Sequence, residues 1–150
     1  MLKRRIAGKK AQKNGDAWEG TFYNCAIKQK TTIIRIPNGC ITRGGMIIRV
    51  KSPFDWIVSI ENKAAFIDTK FTKSTNYSKS MVTDHQISEM IKLENDNHIA
   101  GYLVLFQKSN QVVFYKASQL KNLQARESLS PDMGILLGSE ANFNLKLIFT

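Results

Sequence analysis

Two apolar segments joined by a short polar link constrain this chain more than any other feature of its sequence. Residues 55–60 and 64–71 are rich in β-branched and aromatic side chains, and Glu61, Asn62 and Lys63 separate them. This pattern predicts the two antiparallel strands of a β-hairpin. Because both faces of each strand carry apolar residues, we expect the hairpin at the centre of a sheet.

Helical and strand patterns continue on both sides of the hairpin. We predict helices over residues 11–29, from Thr83, where Thr83 and Gln86 fit a capping box, and over residues 118–125. Further strands are predicted over residues 31–36, 46–50, 98–107, 111–115 and 144–149. This order of elements predicts the α/β class, with a central mixed β-sheet flanked by helices.

The length and composition fit one globular domain. The chain has 150 residues, of which 43% are hydrophobic, which is enough for a single core. Its apolar runs are much shorter than the roughly 18 to 20 residues of a membrane span, and no apolar segment typical of a secretory signal follows the basic N-terminus. Cys25 and Cys40 predict neither a disulfide framework nor a zinc site. We therefore expect a protein of a reducing cytoplasm that does not bind membranes.

Positive charge is concentrated in the first third of the chain. The net charge is +10, and residues 1–50 carry eleven Lys and Arg against two acidic residues, whereas the rest carries eleven against ten. Such a segment favours binding to a polyanion such as DNA, although it is also compatible with a merely solubilising surface. We interpret residues 1–10 as a basic N-terminal arm and residues 11–150 as a single domain. The candidate DNA-binding residues are Lys3, Arg4, Arg5, Lys9, Lys10, Lys13, Arg43 and Lys73.

Charged residues on the predicted hairpin carry the candidate chemistry. Asp68 and Lys70 are two residues apart on a strand and therefore share a face. A pairing centred on Asn62 sets Asp55 opposite Thr69, so that two carboxylates and an amine meet at one end of the sheet. Adjacent carboxylates repel each other unless a cation neutralises them, and hard oxygen ligands suit Mg²⁺ or Mn²⁺. A nearby lysine that orients water completes a set for phosphodiester hydrolysis, although Asp-x-Lys triplets also occur by chance on solvated strands.

Two further residues are candidates on the predicted helices. Glu19 lies within the apolar stretch of the first helix, where it can ligate a metal directly or through water. Gln86 lies in the first turn of the second helix, where it can bind a metal-bound water or a phosphate. The residues by themselves leave two alternatives open: a surface glutamate and a capping glutamine.

The order of these motifs resembles the PD-(D/E)XK nucleases. The motifs are a glutamate on the first helix, Ser-Pro-Phe-Asp at residues 52–55, Ile-Asp-Thr-Lys at residues 67–70 and His-Gln at residues 85–86. Within that superfamily the chain is most similar to the RecU-type Holliday junction resolvases of bacteria and their phages, over roughly residues 12–125. The resemblance implies a restriction-endonuclease-like fold and a Mg²⁺-dependent endonuclease of DNA recombination and repair. It also implies a homodimer that acts on branched DNA, the four-way junction, in the cytoplasm of a bacterium or of a phage host.

The same resemblance implies roles for individual residues. Glu19, Asp55 and Asp68 would be the metal ligands, Lys70 would orient the water, and Gln86 would be the outer member of the catalytic set. The chain departs from the family pattern in two places: Asp68 stands where a glutamate is common, and residues 36–51 are a short substitute for a longer insertion that reaches into the junction. Two alternatives stay open, namely a nuclease for other branched or duplex DNA and a non-catalytic DNA-binding module of the same fold.

Overall fold

A computed structural model describes the backbone of residues 2–150 and the side chains of residues 8–150. Its helices and strands, in chain order, are α1 (Leu2–Lys28), β1 (Thr32–Arg35), β2 (Gly39–Arg43), β3 (Met46–Val50), β4 (Trp56–Ile60), β5 (Lys63–Thr72), β6 (Tyr77–Ser78), α2 (Asp84–Asn95), β7 (Ile99–Phe106), β8 (Gln111–Lys116), α3 (Ala117–Lys121), β9 (Ser128–Leu129), β10 (Ile135–Ser139) and β11 (Asn142–Phe143). Short 3₁₀ helices cover Lys79–Met81, Pro131–Met133 and Leu145–Phe149.

A seven-stranded mixed sheet with the order β1-β4-β5-β7-β8-β10-β11 organises these elements. Strands β5 and β7 are parallel, and every other neighbouring pair in this sheet is antiparallel. A parallel pair requires a crossover connection, and α2 supplies it. The observed architecture confirms the predicted α/β class and the mixed sheet flanked by helices.

The two faces of the sheet are covered by different helices. On one face, Trp18, Phe22 and Ala26 of α1 are buried against apolar residues of the sheet that include Ile67 and Leu103. On the other face, α2 and α3 pack on a second apolar cluster to which β7 and β8 also contribute. Because side chains alternate along a strand, neighbouring residues of β5 point into different layers.

The predicted central hairpin is present, and its turn is shorter than the sequence suggested. Strands β4 and β5 pair antiparallel up to Ile60 and Lys63, so that the turn consists of Glu61 and Asn62 alone. Both residues have positive φ, 48° and 67°, as in the type I′ turns whose twist matches the twist of the flanking strands.

This two-residue turn shifts the register of the hairpin by one position. The pairing of Trp56 with Ile67, continued by one residue, sets Asp55 level with Asp68. The prediction that Asp55 lies opposite Thr69 was therefore wrong by one residue. Because side chains alternate between the faces of a strand, the corrected register directs the two carboxylates to the same side.

The first helix is longer than its predicted bounds. α1 begins at Leu2, so the backbone of residues 2–10 is helical and continuous with that of residues 11–28. Met1 lies outside the described residues, as do the side chains of Lys3, Arg4 and Arg5. Residues 8–13 are exposed all round, which leaves this end of the helix open to solvent.

Strands β2 and β3 form a hairpin of their own, separate from the main sheet. Gly39 pairs with Val50 at its base and Arg43 with Met46 at its tip, where Gly44 and Gly45 make the turn with positive φ. All ten strand residues are exposed. Of its two strands the sequence predicted only the second, over residues 46–50, and the segment is therefore an exposed β-hairpin.

The C-terminal segment also differs from its predicted structure. The alternating pattern of residues 144–149 predicted a strand, but residues Leu145–Phe149 form a 3₁₀ helix. The Asn144 side chain accepts a hydrogen bond from the backbone N–H of Lys146 (3.0 Å) and caps this helix. In the part of the chain that the structure describes, no helix is long and apolar enough to span a membrane.

Candidate active site

Asp55 and Asp68 lie next to each other, Asp55 just before the beginning of β4 and Asp68 within β5. The backbone of Asp55 is fixed on both sides, because its N–H donates to the carbonyl of Ile67 (3.1 Å) and its carbonyl accepts from the N–H of Ile36 (2.8 Å). Asp68 is 2% exposed and shares its strand face with Phe66 and Lys70, the face that α2 covers. The two predicted ligands of the hairpin are thus brought together.

Lys70 forms an ion pair with Asp68. Its Nζ atom lies 2.7 Å from Asp68 Oδ2, and the lysine side chain is 20% exposed whereas the aspartate side chain is 3% exposed. Burial raises the pKa of Asp68 to about 8, and the nearby Asp55 adds to this rise, whereas Lys70 opposes it. One lysine therefore does not compensate the burial of two adjacent carboxylates.

A short hydrogen-bond chain reaches Asp55 from the opposite face of β5. The indole N–H of Trp56 donates to Thr69 Oγ1 (3.4 Å), and the Thr69 hydroxyl donates to Asp55 Oδ2 (3.5 Å). An indole N–H is a donor only, so the Thr69 oxygen accepts there and its own proton is free for Asp55. Thr69 was missed as a site residue, although it stands inside the Asp-Thr-Lys triplet.

Glu19 forms an ion pair with an arginine. Arg35 Nη2 lies 2.8 Å from Glu19 Oε2, and the Arg35 guanidinium lies 5.4 Å from the centre of the Trp56 ring. Partial burial raises the pKa of Glu19, and the charge of Asp55 adds to this rise. Glu19 therefore lies within electrostatic reach of Asp55 but has a different partner. Arg35 was not predicted, because only the β1–β4 register sets it opposite Trp56.

Gln86 is both a capping residue and a buried polar group. Its backbone N–H donates to Thr83 Oγ1 (3.2 Å), and its Oε1 accepts from the N–H of Thr83 (3.4 Å), which confirms the predicted capping box. The side-chain nitrogen is buried and makes no hydrogen bond within the described residues. Gln86 is 3% exposed, on the α2 side of the sheet to which Asp68 also points.

A basic cleft runs along the end of β5 beside Lys70. Its volume is about 580 Å³, and Lys10 and Asn14 of α1 line it together with Lys70 and Lys73. Two of the predicted DNA-binding residues, Lys10 and Lys73, are thus gathered next to the candidate catalytic lysine. The other predicted DNA-binding residues that the structure describes are exposed outside this cleft: Lys9, Lys13 and Arg43.

The donor chemistry at Asp55 and Asp68 fits a divalent cation. Two adjacent carboxylates, one of them with a raised pKa, present the hard oxygen ligands and the uncompensated negative charge that such a cation neutralises. Among the residues that the structure describes, no group of three His, Cys, Asp or Glu side chains lies close enough to form a complete site. Of the three predicted metal ligands, the two aspartates are therefore adjacent, whereas Glu19 is paired with Arg35.

The fold defines the class of protein: an α/β domain of the restriction-endonuclease-like type. The chain has a mixed sheet between helical layers, and it is similar to a solved structure of Archaeoglobus fulgidus Hjc, a Holliday junction resolvase from an archaeal hyperthermophile. The TM-score is 0.58 at 12% sequence identity, over 81% of this chain and 95% of the other. At this identity the likeness concerns the fold alone.

The family follows from the sequence. The family described as RecU, Recombination protein U, matches residues 23–133, and the chain therefore belongs to the RecU family. The matched segment includes Asp55, Asp68, Lys70 and Gln86, whereas Glu19 precedes it. Comparison with curated proteins finds no significant match.

The raised pKa of Asp68 predicts a pH dependence of stability in the metal-free protein. The native state holds a proton at Asp68 up to about pH 8, whereas an unfolded aspartate loses it near about pH 4. Between these values the native state binds more protons, so the free energy of unfolding contributed by Asp68 falls as the pH rises. Urea denaturation with EDTA from pH 5 to 8 should show a steeper fall for the wild type than for Asp68→Asn. Parallel curves would show that Asp68 titrates near its ordinary value.

Proposed function

We propose that this protein is a metal-dependent DNA endonuclease that resolves four-way (Holliday) junctions by phosphodiester hydrolysis. The observation that carries the proposal is the meeting of Asp55, Asp68 and Lys70 beside a basic cleft in a chain of the RecU family. A cytoplasmic site of action, in a bacterium or in the host of a phage, fits a DNA-processing family.

The proposed metal ligands are Asp55 and Asp68, with Glu19 as a third ligand once Arg35 releases it. Bound Mg²⁺ or Mn²⁺ would supply Lewis-acid stabilisation of charge on the scissile phosphate. Lys70, 2.7 Å from Asp68, is placed to orient the attacking water and to stabilise charge that develops on the phosphate oxygens. Gln86 is the outer member of the set, and its buried amide nitrogen is a hydrogen-bond donor for a water or a phosphate.

The basic residues of α1 and of the cleft are the proposed path of the DNA backbone. Lys10 and Lys73 line the cleft with Lys70, so a phosphate that they hold would lie next to the candidate catalytic groups. The β2–β3 hairpin, with Arg43 beside its Gly44-Gly45 turn, is the proposed element that reaches the centre of the junction. Its exposed strands support a role in contact with DNA rather than in the core.

Removal of one ligand charge should separate cleavage from binding. In the variant Asp68→Asn, cleavage of a four-way junction in Mg²⁺ should fall at least about 100-fold, because the charge that holds the cation is lost. Binding of the same junction in Ca²⁺ or EDTA should persist, since the basic surface is unchanged. The measurements are gel-resolved cleavage rates and electrophoretic binding assays.

The matched control is Asp96→Asn, which alters an exposed aspartate at the C-terminal end of α2. This variant should cut at the wild-type rate. Cleavage by Asp68→Asn at the wild-type rate would refute the site. If the wild-type protein cleaves linear duplex arms as fast as the junction, it is a nuclease without junction selectivity. If the wild-type protein binds the junction but does not cleave it, it is a DNA-binding module.

The exposed lysines of α1 should contribute phosphate contacts. Replacing Lys9, Lys10 and Lys13 by Gln should weaken junction binding and lower the slope of log K against log salt concentration by up to roughly 0.9 per lost contact. The same charge change in exposed lysines of other elements, at Lys116, Lys121 and Lys146, is the control. An unchanged salt slope in the α1 variant would exclude this part of the DNA path.

Symmetric cutting of a four-way junction requires two active sites related by a twofold axis, and this chain carries one set. We therefore propose a homodimer. Strand β7 cannot form the contact between the two chains, because Ala100 to Phe106 are buried within the chain. β1 remains the candidate, since it is an edge strand of the main sheet and its Ile34 is 52% exposed.

Light scattering tests the dimer directly. The purified protein at micromolar concentration should have about twice the 17.0 kDa mass of one chain, and replacement of Ile34 by Lys should favour the monomer if β1 forms the contact. A mass of one chain that persists when junction DNA is added would contradict the resolvase proposal and would favour a monomeric nicking nuclease.

A further inference from the structure

Buried polar atoms without a hydrogen bond are concentrated on one side of the sheet. Within the described residues, five such side-chain atoms occur, and four of them are Asp68 Oδ2, Tyr77 OH, Gln86 Nε2 and Tyr102 OH. All four residues lie on the α2 side, and apart from its ion pair with Lys70 the Asp68 oxygen receives no donor. Buried polar groups in proteins nearly always have partners, so a cluster of exceptions calls for a specific explanation.

Tyr102 stands beside Asp68 in the sheet. The two residues are direct neighbours in the parallel register of β5 and β7, and side chains that share a register position point to the same face. Tyr102 has no solvent exposure, so its hydroxyl group has no access to bulk water. Burial raises the pKa of Tyr102, and the charge of Asp68 adds to this rise.

Tyr77 reaches the same place from the loop after β5. It is the first residue of the two-residue strand β6, it has no solvent exposure, and it belongs to the same apolar cluster as Tyr102. Burial raises the pKa of Tyr77, and Asp68 and Tyr102 add to this rise. Two buried tyrosine hydroxyls without a hydrogen bond thus belong to the cluster on the face of the sheet to which Asp68 points.

The chemistry of the three groups is complementary. An ionised carboxylate accepts only, and a tyrosine hydroxyl buried in an apolar core needs an acceptor. A carboxylate that binds a metal through one oxygen is generally held by hydrogen bonds to its other oxygen, and loss of such a bond typically weakens metal binding by about 10- to 100-fold. Phenylalanine would fill the same apolar space at less cost, so packing alone does not explain tyrosine at both positions.

We propose that Tyr77 and Tyr102 are positioning residues of the candidate metal site, whose hydroxyl groups donate hydrogen bonds, directly or through one water, to the Asp68 carboxylate in its cation-binding state. This inference rests on the metal site proposed above. It adds a buried layer of donors behind Asp68 to the Trp56–Thr69 chain that reaches Asp55 from the other face.

The test is a titration of each protein with Mn²⁺ alone, in which electron paramagnetic resonance measures the concentration of free Mn²⁺. The proteins are the wild type, Tyr77→Phe, Tyr102→Phe and Asp68→Asn. Each tyrosine variant should bind Mn²⁺ about 10-fold or more weakly. The urea midpoint of the metal-free protein should not fall in these variants, because the hydroxyl groups make no hydrogen bond that the substitution breaks.

The matched control is Tyr115→Phe. Tyr115 is equally buried in the same cluster, but its hydroxyl donates to the carbonyl of Ser130 (2.7 Å). This variant should lower the urea midpoint and leave the Mn²⁺ affinity unchanged. The opposite responses separate a role at the metal from a role in packing.

The possible outcomes are distinct. Wild-type Mn²⁺ affinity in both tyrosine variants, together with loss of binding in Asp68→Asn, would overturn the positioning role and leave the proposed function intact. A fall of the urea midpoint with unchanged Mn²⁺ affinity would also overturn it. Absence of Mn²⁺ binding by the wild type, up to millimolar concentration and with junction DNA present, would overturn both this inference and the proposed metal site.

Discussion

The burial of a carboxylate on β5 is the constraint around which the rest of the structure is arranged. Asp68 is almost inaccessible to solvent and lies next to Asp55, so its ionised form is costly unless positive charge and hydrogen-bond donors surround it. Lys70 supplies one positive charge. The side of the sheet that α2 covers contains three side chains with unused hydrogen-bond donors, Tyr77, Gln86 and Tyr102. A site of this kind exchanges stability for function, since an apolar residue would fit the same layer more favourably.

The pairing of β4 with β5 stops next to this buried site. The β4–β5 ladder ends at Trp56 and Ile67, so the later residues of β5 have no neighbour on that side beyond the backbone of Asp55. Pro53 lacks an N–H and precedes the strand, which fits a segment that leaves the sheet. The cleft lined by Lys10, Lys70 and Lys73 lies along these later residues of β5, and α1 contributes part of its lining. The interruption of the sheet thus places a basic surface beside Lys70, whose partner Asp68 stays buried.

Local patterns predicted much of this arrangement because their causes are local. The hairpin, the capping box at Thr83 and the alternation that puts Asp68 and Lys70 on one face depend on residues within a few positions of one another. The predictions were wrong where a single residue or a distant contact decides the result. The hairpin turn has two residues instead of three, so Asp55 lies opposite a different residue of β5. The alternating C-terminal segment forms a 3₁₀ helix that an asparagine caps.

The sequence by itself determined the α/β class, the membership of the RecU family and the identity of the hairpin carboxylates and lysine, because these follow from motif order and short-range periodicity. Only the tertiary structure decided that Glu19 pairs with Arg35, that Lys10 and Lys73 share one cleft, and that Tyr102 is the neighbour of Asp68 in the sheet. These contacts join elements that are far apart in the chain. Their geometry depends on strand register and helix packing. Register and packing are in turn determined by the burial and hydrogen bonding of the whole chain.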